Sequence, residues 1–112
     1  MARRRFRVAW AEAAIRDLEE IAGFIARDSP ANAETVVRRV QERAESLERF
    51  PDRGRVVPEL AGWGIRTWKE VLLPPYRILY RSERREVLIA AVLDGRRDLE
   101  DLLLERLIRG DR

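Results

Sequence analysis

The stretch "LPPYRILYR" (residues 73–81) decides the fold that we predict for this chain. Read as a β-strand, it has two different faces, because successive side chains of a strand alternate. One face carries Tyr76, Ile78 and Tyr80, and the other carries Arg77, Leu79 and Arg81. The first face needs an apolar layer beside it. The two arginines of the second face are either solvated or part of a surface that binds an anion.

The apolar layer is predicted upstream, in residues 12–27 and 30–49. Both segments repeat apolar residues with the i, i+3, i+4, i+7 spacing of an amphipathic helix. Ser29 is suited to cap the second helix and Pro30 to occupy its first turn. Two helices with so short a break between them predict an antiparallel helical hairpin. A short first strand, Phe6 to Trp10, precedes the hairpin.

Two loops and three strands are predicted after the hairpin. The loops are "FPDRGRVVPE" (residues 50–59) and "LAGWG" (60–64), and the first strand lies in "IRTWKEVLL" (65–73). The second strand is the stretch quoted above, and a turn at "SERR" (82–85) leads to the third, "EVLIAAVLDG" (86–95). Because this third strand is apolar on both faces, we expect it to be central and covered on both sides.

The hairpin covers only one face of such a sheet, so a second cover is required. We expect it to be a final helix, residues 98–108, capped by Asp98 and stopped at Gly110. Its apolar stripe consists of Leu99, Leu102, Leu103 and Leu107. The order of elements predicts an α+β fold: an N-terminal strand and a helical hairpin packed on a largely antiparallel four-stranded sheet, plus a C-terminal helix.

Length and composition exclude several classes of protein. At 112 residues we expect a single domain, 1–112, with residues 1–5 as a flexible tail. The chain has no cysteine and no histidine, so we predict no disulfide, no metal site and no cofactor. The start "MARRRFR" lacks the apolar segment of a signal peptide, and no apolar run is long enough to cross a membrane. We therefore expect a cytoplasmic protein without a membrane partner.

The basic residues are distributed unevenly. Residues 1–10 hold four arginines and no acid, and residues 51–97 hold ten bases and six acids. The other two segments are net acidic. Residues 11–50 hold six bases and nine acids, and residues 98–112 hold three bases and five acids. A field of this kind favours nucleic acid or an acidic protein as a partner.

Four pieces of the chain together resemble the RelE/ParE superfamily of toxins from type II toxin–antitoxin systems. They are "VAWAEAAIRDLEEIAGFIARDSP" (8–30), "FPDRGRVVPEL" (50–60), "YRILYR" (76–81) and "VLDGRRD" (92–98). The resemblance implies a four-stranded sheet with a helical hairpin on one face. It also implies an antitoxin partner whose disordered segment wraps the toxin. The long helical pair and the second and fourth pieces resemble ParE-like members more than RelE-like members, whereas the last helix departs from many members.

The two branches of the superfamily imply different activities. RelE-like members cleave mRNA in the ribosome, and ParE-like members inhibit DNA gyrase without nuclease activity. Cleavage by a 2′-hydroxyl needs a base, an acid and stabilisation of the developing charge. If the chain is a nuclease, the candidate residues are Arg66, Lys69, Arg77, Tyr80, Arg81 and Arg96. Arginine stabilises charge but is no base, and Glu59 and Glu70 would serve only beside the arginines.

We therefore assign no catalytic residue, and we expect the arginines to bind a partner. The predicted groove lies on the sheet face opposite the hairpin and receives an acidic segment of the antitoxin or faces the target. Its residues are Arg66, Arg77, Arg81, Arg96, Arg97 and Trp63. Since Arg77 and Arg81 lie away from the hairpin, we expect the fold to survive their replacement.

Three functions remain open from the sequence. The first is a ParE-like toxin associated with plasmid stabilisation, which inhibits DNA gyrase and is neutralised by a co-encoded antitoxin. The second is a RelE-like, ribosome-dependent mRNA endonuclease. The third is a toxin-fold binding module without toxicity. A homodimer or a hetero-oligomer with the antitoxin is compatible with each of them.

Overall fold

The computed structural model describes residues 5–108, which form a five-stranded mixed sheet with helices on both faces. In chain order the elements are β1 (Arg7–Trp10), α1 (Glu12–Ala26), α2 (Pro30–Glu45), β2 (Arg55–Val56), α3 (Pro58–Ala61), β3 (Lys69–Leu73), β4 (Tyr76–Glu83), β5 (Glu86–Asp94) and α4 (Glu100–Leu103). A 3-10 turn (Ser46–Glu48) follows α2, and a π-helical turn (Leu104–Ile108) follows α4. Within this part of the chain, no helix is long and apolar enough to cross a membrane.

The strand order is β1-β5-β4-β3-β2. Strand β1 runs parallel to β5, with Trp10 beside Ile89, and the other neighbours are antiparallel. The predicted α+β fold is confirmed, with one addition. Strand β2 and helix α3 lie where the sequence predicts only a loop, since two- and four-residue elements leave no periodic pattern to detect.

The helical hairpin packs on one face of the sheet, as predicted. The Ser29 hydroxyl accepts a hydrogen bond from the Asn32 N–H at 3.2 Å, so the predicted helix cap is confirmed. On the sheet side, Ile78 and Tyr80 are buried in the same cluster as Val40 and Leu47 of the hairpin and its 3-10 turn. The alternation predicted for β4 is therefore confirmed.

The other face of the sheet holds a second apolar cluster. The strands contribute Leu79, Ala91 and Leu93 to it, and the segment around α3 contributes Val57 and Leu60. The C-terminal helix contributes Leu99, Leu103 and Leu107, and Leu102 packs at the margin. Strand β5 is thus covered on both faces, and the final helix is the second cover, as predicted. The cap predicted at Asp98 is one position off, because Leu99 is the N-cap residue of α4 and makes no side-chain cap, although Asp98 accepts a hydrogen bond from the Glu100 N–H at 3.3 Å. The predicted stop at Gly110 lies outside the described residues.

Both side edges of the sheet end in arginine side chains that bind backbone. Arg43 of α2 donates to the carbonyl of Leu72, beyond the two residues of β3 that pair with β2. On the far side, Ala90 is the extra residue of a bulge in β5, and its carbonyl accepts a hydrogen bond from Arg106 at 3.0 Å. These contacts occupy backbone groups that an additional strand would need.

Asp17 completes the closure of the β5 edge. Its carboxylate accepts the N–H of Val92 at 3.0 Å and binds Arg106 in a bidentate pair at 2.9 and 3.1 Å. Both side chains are largely buried. This pair ties the C-terminal helix on one face to α1 on the other.

Arg84 and Arg85 form the turn between β4 and β5, inside the predicted "SERR" stretch. Both have positive φ, 51° and 65°, a region that costs non-glycine residues about 1–2 kcal/mol each. Such two-residue turns favour Asn-Gly. We expect the double replacement Arg84→Asn, Arg85→Gly to raise the free energy of unfolding by about 1–2 kcal/mol, measured by urea denaturation. The matched replacement Arg96→Asn, Arg97→Gly should give no gain, and equal stability of the turn variant and the parent would contradict the strain.

Candidate functional site

The predicted binding residues lie at two separate places on the sheet. Arg77 and Arg96 line a depression beside the turn from β3 to β4, which we call the proline groove. Its lining includes Pro74, Pro75, Tyr76, Arg77, Gly95 and Arg96. The peptide bond between Pro74 and Pro75 is cis.

Arg81 lies toward the other end of β4, in a depression that it shares with Arg7 and Arg84. Its guanidinium stacks on the ring of Trp68 at 5.3 Å, and the residue is exposed. Arg66, Arg97 and Trp63 are exposed as well. The structure therefore does not bring Arg77 and Arg81 into one groove.

Arg77 is held in a network of carboxylates. Its two terminal nitrogens donate to the two oxygens of Glu59, both at 2.8 Å, and its Nε donates to Glu70 at 2.6 Å. The other oxygen of Glu70 accepts from Nε of Arg55 at 2.8 Å. The side chain of Arg77 is only 11% exposed and that of Glu70 is fully buried, so Arg77 is not a solvated residue.

Gly95 makes room for the stem of Arg77. A Cβ atom at Gly95 would lie 3.1 Å from both Cγ and Cδ of Arg77 and 3.0 Å from the carbonyl oxygen of Pro75. These are closer than ordinary van der Waals contacts. A side chain at the glycine of the "VLDGRRD" piece would require Arg77 or the Pro75 carbonyl to shift by a few tenths of an ångström, so glycine suits the close approach of the turn after β5 to Arg77.

The network shifts the acidity of its members in opposite directions. The bidentate bond from Arg77 holds the pKa of Glu59 below its ordinary value, against the effect of burial. The same bond, with that to Glu70, raises the pKa of Arg77. Nearby, the hydrogen bonds from Arg96 lower the pKa of Asp94 to about 2. The charges at this end of the sheet are therefore paired within the chain.

Because the pKa of Glu59 is lower in the folded protein than its ordinary 4.5, this pair adds stability that is complete above that pH. The contribution is lost as the pH falls through the folded-state pKa. We expect urea denaturation between pH 6 and pH 3 to show a smaller loss of stability for Glu59→Gln than for the parent. Equal pH dependence of the two proteins would show that Glu59 adds nothing.

The candidate nuclease residues do not converge. Tyr80 is buried on the hairpin face, where its hydroxyl donates to the carbonyl of Pro51 at 2.7 Å and accepts the N–H of Gly54 at 3.0 Å. Burial raises the pKa of Tyr80. Lys69 pairs with Asp52 at 3.0 Å. Arg77 and Arg81 lie on the face opposite to Tyr80. The candidate acid and these two arginines therefore do not surround one space that could hold a phosphate group.

The partners of Arg77 were not predicted from the sequence. The sequence indicates Glu59 and Glu70 only as bases, and only if they lie beside the arginines. They do lie there, but as ion-pair partners. Strand alternation is the sequence feature from which the contact between Glu70 and Arg77 could be predicted, because it can place both side chains on the same face of neighbouring strands. That prediction also needs the pairing of Leu72 with Arg77, which only the structure gives.

Residues 8–99 match the family model described as "ParE toxin of type II toxin-antitoxin system, parDE". "Toxin RelE2" of Caulobacter vibrioides is 35% identical over 74 residues, which are 65% of this chain and 76% of the relative. "Putative toxin Y4kP" of Sinorhizobium fredii is 34% identical over 82 residues, 71% of this chain and 79% of the relative. A chain of the solved chromosomal ParDE TA system from P. aeruginosa has the same fold, with a TM-score of 0.63 at 19% identity, covering 78% of this chain and 92% of that one.

Proposed function

The chain belongs to the ParE toxin family of type II toxin–antitoxin systems, and we propose that it inhibits DNA gyrase and is neutralised by a co-encoded antitoxin. Family membership agrees with the resemblance predicted from the sequence. The toxin acts by binding its target and has no chemistry of its own. A gyrase target places its action in the cytoplasm.

The engagement of Arg77 by Glu59 and Glu70 is the observation that carries this proposal. A nuclease arginine must offer its charge and its donors to a phosphate, whereas Arg77 already uses three of its five N–H donors, and its positive charge, on the carboxylates of Glu59 and Glu70. Tyr80, the candidate acid, is buried on the opposite face. This arrangement favours a toxin that uses its surface over one that uses an active site.

A RelE-like mRNA endonuclease is the second candidate, favoured by the likeness to the relative named "Toxin RelE2". For that activity Arg81, Arg66 and Arg97, which are exposed, would have to act on RNA. Arginine binds phosphate well but does not accept a proton at ordinary pH. The ribosome would then have to supply what this set lacks.

A pair of assays separates the two candidates. We expect the purified protein to inhibit DNA supercoiling by purified gyrase and to leave mRNA intact in a reconstituted translation reaction. Cleaved mRNA with normal supercoiling would replace the proposal by the second candidate. Activity in neither assay would favour a toxin-fold binding module. Heat-denatured protein serves as the control in both reactions.

The proposed antitoxin gives a further expected result. Trp63 is 45% exposed, and Arg66, Arg81 and Arg97 are exposed as well, so an aromatic side chain and several cations are accessible to an acidic partner that wraps the toxin. We expect co-expression to yield a complex that stays together in size exclusion at micromolar concentration and buries more than about 1,600 Å² in total. Separate elution of toxin and antitoxin would contradict this.

A further inference from the structure

Glu59 is the accessible carboxylate in the Arg77 network. Its side chain is 30% exposed, whereas that of Glu70 is fully buried. Glu70 therefore belongs to the protein interior, and Glu59 is the member of the network that lies next to solvent. The atoms that Glu59 occupies are the two terminal nitrogens of Arg77, a planar fork that fits any carboxylate.

The proline groove surrounds this fork with features that suit a peptide. Its rims carry Arg55 and Arg96, whose side chains are 59% and 71% exposed. Each pairs within the chain, Arg55 with Glu70 through Nε and Arg96 with Asp94 through Nε and one terminal nitrogen, so each has further N–H donors for a second carboxylate. Between them lies an apolar surface that includes Leu72, 39% exposed, beside Pro74 and Pro75. A groove with an apolar floor and cationic rims is complementary to an extended acidic segment.

We infer that Glu59 is an internal substitute for a carboxylate of the partner. An acidic, extended peptide segment lies in the proline groove, and one of its carboxylates replaces Glu59 on the fork of Arg77. Its neighbouring carboxylates face Arg55 and Arg96. Because one bidentate ion pair is exchanged for another, the exchange itself contributes little to affinity. The net gain comes from the apolar floor and the rims.

The exchange of carboxylates on Arg77 does not require the other ion pairs of the network to break. Glu59 lies in the four-residue helix α3, which Leu60 anchors in the second apolar cluster, fully buried. A rotation of the Glu59 side chain toward solvent is sufficient to free the fork. Glu70 then still binds Nε of Arg77 and keeps the guanidinium in place.

This inference deepens the proposed function, since the acidic segment would be that of the antitoxin, but its test needs neither gyrase nor antitoxin. The ¹⁵N-labelled full chain is titrated at low salt with a blocked pentaglutamate peptide and, separately, with pentaglutamine. We expect pentaglutamate to shift the Nε–H signal of Arg77 and the amide signals of Gly95 and Arg96 until saturation. Pentaglutamine should leave them unchanged.

The variant Glu59→Gln tests the substitution directly. Because it removes the competing carboxylate, we expect it to bind pentaglutamate about tenfold more tightly than the parent, the value of one modest charge-assisted contact. Glu48→Gln is the matched control, since it removes one acid that pairs with Arg5 at 3.2 Å and does not line the groove. Its affinity should stay within about twofold of the parent's, because only the net charge changes.

Three results would overturn the inference. One is an equal effect of Glu59→Gln and Glu48→Gln. Another is a titration in which the signals of Arg77 and Gly95 in the parent chain do not move, which decides the matter even if a variant fails to fold. The third is an oligothymidylate that shifts the same signals at lower concentration than pentaglutamate, which would assign the groove to nucleic acid.

Discussion

Ending the chain after Arg97 is expected to lower the free energy of unfolding by about 4.5–9 kcal/mol, from about 1.5–3 kcal/mol for each of three buried leucines. The three are Leu99, Leu103 and Leu107, which are at most 7% exposed. A loss of this size is comparable to the whole stability of a small domain, about 5–15 kcal/mol. The truncated chain should therefore be largely unfolded at 37 °C.

The same truncation removes Arg106, so Asp17 would be left without its bidentate partner beside the β5 edge. The measurement is urea denaturation followed by circular dichroism, with binding of a hydrophobic dye to report the exposed second cluster. A chain ending after Ile108 is the control and should match the full chain. An unchanged melting temperature after truncation at Arg97 would show that the C-terminal helix is dispensable for the fold.

Replacing Arg77 with glutamine is expected to destabilise the protein by about 3–5 kcal/mol, because it leaves a buried carboxylate without its cation. The carboxylate concerned is Glu70, whose remaining partner, Arg55, is 59% exposed. Glu59 would lose both of its bonds to the fork as well. Thermal and urea denaturation both measure this change.

Arg81→Gln is the matched control on the same strand and the same face. Arg81 makes a cation–π contact with Trp68, so its loss should cost no more than about 1 kcal/mol. Removing the charges together, with Arg77→Met, Glu59→Gln and Glu70→Gln, should restore most of the stability lost in Arg77→Gln, since no unpaired charge remains buried. Equal stability of Arg77→Gln and Arg81→Gln would refute the structural role of the network.

The destabilisation expected for Arg77→Gln differs from the prediction made from the sequence, which is that the fold survives replacement of Arg77 and Arg81. Alternation along β4 places Arg77 and Arg81 on the face away from the hairpin, which is right, and suggests that both can be replaced without harm. The structure separates them, because the second cluster covers the face near Arg77 and the Glu59 and Glu70 carboxylates enclose it. Only Arg81 keeps the exposed setting that alternation alone suggests.

The elements predicted well are those whose own sequence repeats. The hairpin follows from two apolar stripes and Ser29, and the buried position of β5 follows from its apolar residues on both faces. The second cover follows from the leucines of the last helix. In each case the apolar pattern predicts which face of the element is buried. A known buried face is sufficient to predict on which side of the sheet a helix packs.

The parts that were not predicted depend on contacts between distant segments. Glu59 and Arg77 meet because α3 folds back over the sheet, and α3 has only four residues. Asp17 and Arg106 are separated by 89 positions and meet at a bulge in β5. Charged residues are common on solvated surfaces, so nothing in a single sequence marks which of them are paired.

The parallel pairing of β1 with β5 has a consequence for the order of synthesis. Strand β1 is translated first, and its neighbour in the sheet, β5, is the last strand to be made. The sheet therefore remains incomplete until translation has passed Ile89, which lies beside Trp10. A nascent chain can form the helical hairpin early, from local contacts, whereas the closed sheet needs contacts that span most of the chain. Any partner that recognises the sheet accordingly meets a chain that already contains all five of these strands. A ribosome that stops before β5 releases a chain without the sheet that such a partner binds.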